Sequence, residues 1–391
     1  MQKHQKHAKL KRPAYGQFAR NEWAIMGTPC GKIQELAFQL TQQLAAKYRI
    51  AYVDADHKSA DEEDEEGRDQ QRAMAYGATM EYTDKITFHR FDWEAELSSF
   101  QYRQVFNTED LVLVNGNHFK AKRQIVVIDP QKEASLKKKL DRLSDVQLIL
   151  LADSNLSPYP FLKEALPNIE AIPVLALSES QQIATWIDQQ MQQAKAPLSG
   201  LVLAGGKSQR MGQDKGLIKY HGKAQRAHLF DLLDPYCEST YYSCRPDQRQ
   251  EFADLPHITD SFSGLGPYGA ILSAFREQPD HAWLIVAVDL PFVDQQALQQ
   301  LTDQRDTSKV ATAFHNPATQ FPDPLITIWE PRSYPLLLQF LAQGYSCPRK
   351  VLINSEIQLI EAPQAEVLMN VNKPEDYEIV KELLAKRLAR S

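Results

Sequence analysis

Short apolar runs separated by longer amphipathic stretches set the pattern of this chain. Trp23–Met26, Ile50–Val53, Leu111–Val114, Ile125–Ile128, Leu148–Leu151 and Ile172–Leu175 read as buried strands. Lys32–Lys47 has helical periodicity, with Leu36, Phe38, Leu40, Leu44 and Ala45 among its apolar positions. Lys132–Leu143 is a more highly charged helical stretch, and Ser180–Lys195 is a Gln-rich helix with Ile183, Trp186, Ile187 and Met191 on one side. Ala194-Lys195-Ala196-Pro197-Leu198-Ser199-Gly200 then reads as a linker. Beyond it the pattern resumes, with strand runs Leu201–Ala204 and Trp283–Val288 and a helix over Ala270–Phe275. Strands alternating with helices predict mainly parallel sheets. The expected organisation is a basic arm over 1–20, an α/β domain over 21–193, a linker over 194–200 and a second α/β domain over 201–391.

The length of 391 residues suits two domains. A net charge of −6 gives no global reason to expect nucleic-acid binding. No apolar run approaches the roughly 18 residues of a membrane helix, and the basic N-terminus lacks the apolar core of a secretory signal. Cys30, Cys237, Cys244 and Cys347 are scattered and read as reduced thiols in a cytoplasm. The acidic run Asp61–Glu66 reads as a solvated loop. His4 and His7 lie in the basic arm, and Asp54, Asp56 and His57 at a strand end, with loop residues the simpler reading and metal the alternative.

The richest segment is Leu201-Val202-Leu203-Ala204-Gly205-Gly206-Lys207-Ser208-Gln209-Arg210-Met211-Gly212-Gln213-Asp214-Lys215-Gly216-Leu217. A strand runs into paired glycines, which let backbone N–H groups approach a ligand, and Arg210 and Lys215 add cations. That combination suits a polyphosphate. The spacing is neither a P-loop nor a dinucleotide fingerprint. Trp283–Val288 is a strand ending at Asp289 with Pro291 close behind, which puts a carboxylate where open α/β sheets bind ligands and where Mg²⁺ finds a ligand.

The segment 203–217 closely resembles molybdenum cofactor guanylyltransferase, within the nucleotidyltransferase superfamily. Ile258–Ala270, with Asp260 and a Gly-Pro-x-x-Gly turn, Asp289 after its strand, and Met369-Asn370-Val371-Asn372-Lys373-Pro374-Glu375-Asp376 match further parts of the family pattern. The resemblance implies a Rossmann-like nucleotidyltransferase fold that transfers GMP from GTP to molybdopterin with release of pyrophosphate. It implies nucleotide binding by Leu203, Ala204, Gly205, Gly206, Lys215, Asp260 and Asp289. Catalysis falls to Arg210, Lys215 and Asp289, with Mg²⁺ on Asp289, and acceptor binding to Asn370 and Asn372. Cofactor-biosynthesis proteins or molybdoenzymes are the partners it implies. Val288 replaces a frequent Cys, Asp323 replaces a usual His in the acceptor region Phe321–Ile326, and Gly222-Lys223-Ala224-Gln225 departs from Gly-x-Pro-Leu. Two alternatives stay open: CTP as donor, which the Gly205-Gly206 pair disfavours, and a binding module for nucleotide or pterin that transfers nothing.

In the first half, Ala24-Ile25-Met26-Gly27-Thr28-Pro29-Cys30-Gly31-Lys32-Ile33 resembles a degenerate P-loop, with Met26 for the first Gly and Ile33 for the Mg²⁺-binding Ser/Thr. Gly67–Asp69, Ala75–Ala78 and Leu111–Gly116 are faintly similar to the GTP-binding adaptor domain of molybdopterin-guanine dinucleotide biosynthesis. Asn115 stands there in place of Glu. The resemblance implies an adaptor-like domain without hydrolysis. A domain that still binds phosphate or pterin at Lys32, or an unrelated α/β domain, remains as an alternative.

Overall fold

The computed structural model describes residues 16–55, 72–98, 100–206 and 214–388. The chain divides into two compact units, Met1–Ala194 and Lys195–Ser391.

In the first unit, β1 (Glu22–Met26) leads into α1 (Cys30–Leu44), β2 (Ile50–Val53), a hairpin of β3 (Met80–Asp84) and β4 (His89–Trp93), then β5 (Leu111–Asn115), β6 (Arg123–Ile128), β7 (Val146–Leu151), β8 (Val174–Ala176) and α2 (Ser180–Gln193). Six strands form one parallel sheet in the order β2-β5-β1-β6-β7-β8. Alternate residues of each central strand serve opposite layers. Trp23, Ile25, Leu113 and Val127 pack with Ile33, Leu36 and Leu40 of α1 and Ile183 and Ile187 of α2. Met26, Val126, Ile128 and Ile149 face the other way, against Leu136, Leu162 and Ile169. Because both faces are covered, the strands read as continuous apolar runs.

Three features differ from the sequence reading. Of the stretch 194–200 read as a linker, 198–200 already form the start of a strand, Leu198–Leu203. The stretch 132–143 is not one helix but a five-residue helix, Glu133–Lys137, flanked by single 3₁₀ turns. Leu136 is buried and Leu140 and Leu143 pack part-buried on the same cluster, so the apolar contacts are made, but through short turns rather than one continuous helix. Residues 16–20, placed in the basic arm, belong to the folded unit: Phe18 is 2% exposed, and the Glu22 carboxylate accepts from the backbone N–H groups of Gln17, Phe18 and Ala19.

In the second unit, β9 (Leu198–Leu203) is followed by α3 (Gln225–Leu233), β10 (Ser239–Cys244), β11 (His257–Thr259), α4 (Pro267–Glu277), β12 (Ala282–Ala287), α5 (Gln295–Asp303), β13 (Ala311–Asn316), β14 (Phe321–Trp329), β15 (Gln358–Glu361) and α6 (Pro374–Leu388). The seven strands run β11-β10-β9-β12-β14-β13-β15, with β14 antiparallel to both neighbours and every other pair parallel. Val202, Leu284 and Val286 pack with Leu229 and Leu233 of α3 and Leu298 and Leu301 of α5. Leu201, Leu203, Trp283 and Ile285 pack with Ile271, Leu272 and Phe275 of α4. The chain moves outward from β9 to β10 and β11, then returns to place β12 on the other side of β9. That reversal opens a crevice at the carboxyl ends of β9 and β12, where open α/β sheets bind ligands.

Candidate functional site

A cavity of about 940 Å³ lies at this switch point in the second unit. Leu203, Ala204, Gly205 and Gly206 enter it from the end of β9, and Val288 and Asp289 from the end of β12. Asp260 arrives from the residue after β11, and Ser243 and Arg245 from the end of β10. The local reason is shared: each buried strand ends at the carboxyl end of the sheet, and the residues at or just past that end are free to turn toward the cavity.

Lys215 reaches the cavity from a short 3₁₀ turn whose first residue is capped by Asp214, the carboxylate accepting from the Gly216 N–H at 2.8 Å. Lys215 Nζ donates to Asn372 Oδ1 at 2.9 Å and lies 3.8 Å from Asp289 Oδ2. The Val371 N–H bonds the Asp289 carbonyl at 2.9 Å, tying the 370–372 segment to the end of β12. Asp376 in the first turn of α6 accepts from the N–H groups of Asn372 and Lys373 and is thereby held below its ordinary carboxylate range.

Asp289 carries an unmet demand. Its Oδ1 is buried with no partner among the described residues, and burial raises its carboxyl above the usual range against the opposing pull of Lys215. A buried carboxylate oxygen without a donor is costly unless something else binds it. A hard cation takes carboxylate oxygen readily, so the donor fits Mg²⁺. Asp260 accepts from Ser243 Oγ at 2.9 Å, and its carboxyl is pushed up to about 6 by burial, with the Ser243 bond and the Arg245 charge pulling the other way.

Of the nucleotide-binding residues expected from the sequence, Leu203, Ala204, Gly205, Gly206, Lys215, Asp260 and Asp289 all line this one cavity. Asn372 joins them; Asn370 is not among the lining residues, and its buried Oδ1 has no partner among the described residues. Arg210 lies outside the described residues. Asp323 does not face the cavity: it is fully buried in β14, accepting from Asn316 Nδ2 and the Leu325 N–H, while Leu325 does the lining. Sequence reasoning missed Ser243, Arg245, Asp247 and Ser263. A signal was present in Arg245-Pro246-Asp247, charged residues immediately after a strand, but nothing local tied it to Gly205, whose carbonyl accepts from Arg245 Nη1. The two glycines also differ. A Cβ on Gly205 would lie 3.2 Å from the Arg245 backbone N, whereas one on Gly206 would meet nothing within 4 Å among the described residues.

The first-unit loop after β1 is closed on itself. Thr28 Oγ1 and Lys32 Nζ both donate to Asp129 Oδ2, at 2.7 and 2.9 Å, and the Gln131 N–H donates to Oδ1 at 3.0 Å. Burial raises the Asp129 carboxyl, but these bonds outweigh it and hold the group below its ordinary value. Gly27 has φ +96°, and a Cβ there would stand 2.3 Å from the Val127 carbonyl oxygen, so the loop requires glycine. Asn115 Nδ2 donates to Asp54 Oδ1 at 2.8 Å, and Tyr52 Oη donates to Asp54 Oδ2 at 2.6 Å. Asp56, His57, Asp61–Glu66, Gly67–Asp69, His4 and His7 lie outside the described residues.

A glycine loop, a lysine and a strand-end aspartate with an oxygen unpartnered among the described residues surround one switch-point cavity, an arrangement of the nucleotidyltransferase type. Comparison with known proteins agrees. The MobA-like NTP transferase domain matches residues 200–359. The chain is 31% identical over 194 residues to the molybdenum cofactor guanylyltransferase of Pseudomonas putida, covering 47% of this chain and 98% of that protein. It is 38% identical over 186 residues to the molybdenum cofactor biosynthesis bifunctional protein of Synechocystis sp., covering 47% of this chain and 54% of that relative, about half its length. The solved structure of molybdopterin-guanine dinucleotide biosynthesis protein A from Archaeoglobus fulgidus aligns over 48% of this chain and 99% of its own, at 21% identity and a TM-score of 0.42. The chain belongs to the molybdenum cofactor guanylyltransferase family and is a nucleotidyltransferase of molybdenum cofactor biosynthesis.

Proposed function

We propose that the second unit transfers GMP from GTP to molybdopterin, and that the reaction runs in the cytoplasm, where its thiols stay reduced. The observation that carries this reading is the convergence on one cavity of Lys215, the Gly205-Gly206 loop and an Asp289 oxygen that has no partner among the described residues. The terminal phosphate oxygen of the acceptor attacks the α-phosphorus, the α–β phosphoanhydride bond breaks, and pyrophosphate leaves with the electron pair. The attacking oxygen is already anionic, so the protein need not supply a strong base. Its residues position and neutralise charge. Lys215, 3.8 Å from Asp289 and braced by Asn372, presents its ammonium to the α- or β-phosphate. Backbone N–H groups of the 204–206 loop cradle the phosphates, and Asp260 accepts from ribose or guanine donors. Arg210 is assigned to the leaving pyrophosphate, and Asn370 and Asn372 to the acceptor side. Asp289 would hold Mg²⁺, which when bound neutralises phosphate charge.

The first unit we read as an adaptor-like P-loop domain that no longer hydrolyses nucleotide. Asp129 takes the bonds of Thr28 and Lys32 that a phosphate would need, and Asn115 is not anionic. Partners of the whole chain are then other proteins of cofactor biosynthesis or the recipient molybdoenzymes.

The test is product identity. The full chain is incubated with Mg²⁺, GTP and molybdopterin, and the pterin product is weighed by mass spectrometry. A guanine dinucleotide cofactor formed in step with pyrophosphate supports the reading. A cytosine dinucleotide from CTP and none from GTP overturns the donor, and no dinucleotide at all overturns the reaction.

A further inference from the structure

We propose that Arg245 reads the base of the nucleotide, its guanidinium taking the O6 and N7 acceptors of guanine. The inference rests on the nucleotidyl-transfer reading of the second unit and adds the residue that selects the donor. Lys215, Asn372 and Asp289 gather at the end of β12, so the charged end of a nucleoside triphosphate lies on that side. Across the same cavity, beyond β9, the ends of β10 and β11 bring Ser243, Arg245 and Asp260. Adjacent strands stand about 4.8 Å apart, so the two groups are separated by roughly two to three such spacings. The phosphates lie at one end, and the base lies at the other.

The chemistry of that far end is specific. It offers a forked donor, Arg245, and a carboxylate acceptor, Asp260, in one pocket. Guanine alone among the common bases presents two adjacent acceptors on one edge and N–H donors on another. Arginine in bidentate contact with O6 and N7 is the commonest specific contact to guanine. Adenine would set its amino donor against the guanidinium; cytosine can offer O2 and N3 to the fork but keeps no N–H donors on a second edge for Asp260.

The fork is already formed. Arg245 Nε and Nη2 donate to the two carboxylate oxygens of Asp247 at 3.0 and 2.9 Å, and Nη1 donates to the Gly205 carbonyl. Asp247 thus presents two acceptors side by side, as a guanine edge does. Its side chain is 69% exposed, so this is a solvent-screened pair that yields readily to a better-fitting ligand. Gly205 sets the approach: an added Cβ would lie 3.2 Å from the Arg245 backbone N and 3.4 Å from its Cγ. The glycine loop and the base reader are therefore one device, and the size of residue 205 governs where the arginine stands.

The test uses donors that differ by single atoms, read as pyrophosphate release with Mg²⁺ and molybdopterin. 7-Deaza-GTP replaces the N7 acceptor with C–H, and ITP lacks the 2-amino donor. The wild type should use 7-deaza-GTP about tenfold less efficiently than GTP in kcat/KM, the worth of one such contact. Arg245→Ala should lower kcat/KM for GTP at least tenfold and erase the gap between GTP and 7-deaza-GTP, while the gap between GTP and ITP persists. Arg245→Lys, which keeps the charge without the fork, should also lose the 7-deaza gap. A loss of loop support alone would slow both donors equally and leave their ratio as in the wild type, and that result overturns the inference. A wild type that uses GTP and 7-deaza-GTP equally overturns it without any variant. Wild-type protein that releases pyrophosphate from no donor instead overturns the transfer reading beneath it.

Discussion

Each unit follows its first strand with a loop, a lysine and a strand-end aspartate, and the two arrangements part company at one oxygen atom. In the first unit, Asp129 is satisfied by Thr28, Lys32 and the Gln131 N–H, and the loop is a finished piece of structure. In the second, Lys215 stands 3.8 Å from Asp289, whose Oδ1 is buried without a partner among the described residues, beside a cavity of about 940 Å³. A lysine–aspartate pair closes a site when both carboxylate oxygens have donors, and prepares one when an oxygen is left without. On the proposed function, unmet hydrogen-bonding demand, kept at a cost in stability, marks the working loop.

The sharpest way to break this contrast is Asp289→Ala. Transfer should fall about a hundred- to a thousandfold, the scale of losing a preorganised charge contact. The thermal midpoint should hold or rise, because a buried oxygen without a donor is removed; kinetics and thermal unfolding on one preparation check both. Lys32→Ala should do the opposite. It leaves the buried Asp129 carboxylate short of its cation, a cost of about 1–3 kcal/mol in denaturant unfolding, while transfer changes less than about twofold. A tenfold drop in transfer would show that the first loop takes part in the reaction.

A smaller effect comes from pH. The Asp260 carboxyl is pushed up to about 6 by burial, against an ordinary value near 4. The folded protein therefore binds a proton that the unfolded chain has already lost between those values. This contribution to stability is full below about pH 4 and is lost as pH rises through 6. Nucleotide binding runs the other way, because only the charged carboxylate accepts from ribose or base donors. GTP affinity, titrated between about pH 5 and 7.5, should weaken as pH falls below 6, and Asp260→Asn should flatten that limb.

The sequence made one site far more legible than the other. The segment 203–217 and the strand ending at Asp289 carry their chemistry in consecutive residues, so strand, loop, lysine and carboxylate were readable without the fold. Asp129 was not, because it ends an ordinary apolar strand and meets Lys32 only across a sheet that sets them side by side. Arg245 stayed hidden for the same reason: its partner Gly205 lies just past the end of the neighbouring strand, and pairing between β9 and β10 brings them together. The hairpin β3–β4 escaped notice because its alternation is short, Met80 and Tyr82 in one strand and Phe91 and Trp93 in the other, and these residues are exposed rather than packed on a core. The missing helix over 132–143 failed in reverse: Leu136, Leu140 and Leu143 have helical spacing and pack on the core, but the backbone joins them through a five-residue helix and 3₁₀ turns.

The central claim is that the chain has one working nucleotide site, in the second unit. Calorimetric titration of Mg-GTP into wild-type, Lys32→Ala and Lys215→Ala protein tests it directly. One site per chain, unchanged by Lys32→Ala and weakened at least tenfold by Lys215→Ala, is the predicted result. Two sites, or loss of binding in Lys32→Ala with Lys215→Ala unaffected, would contradict it.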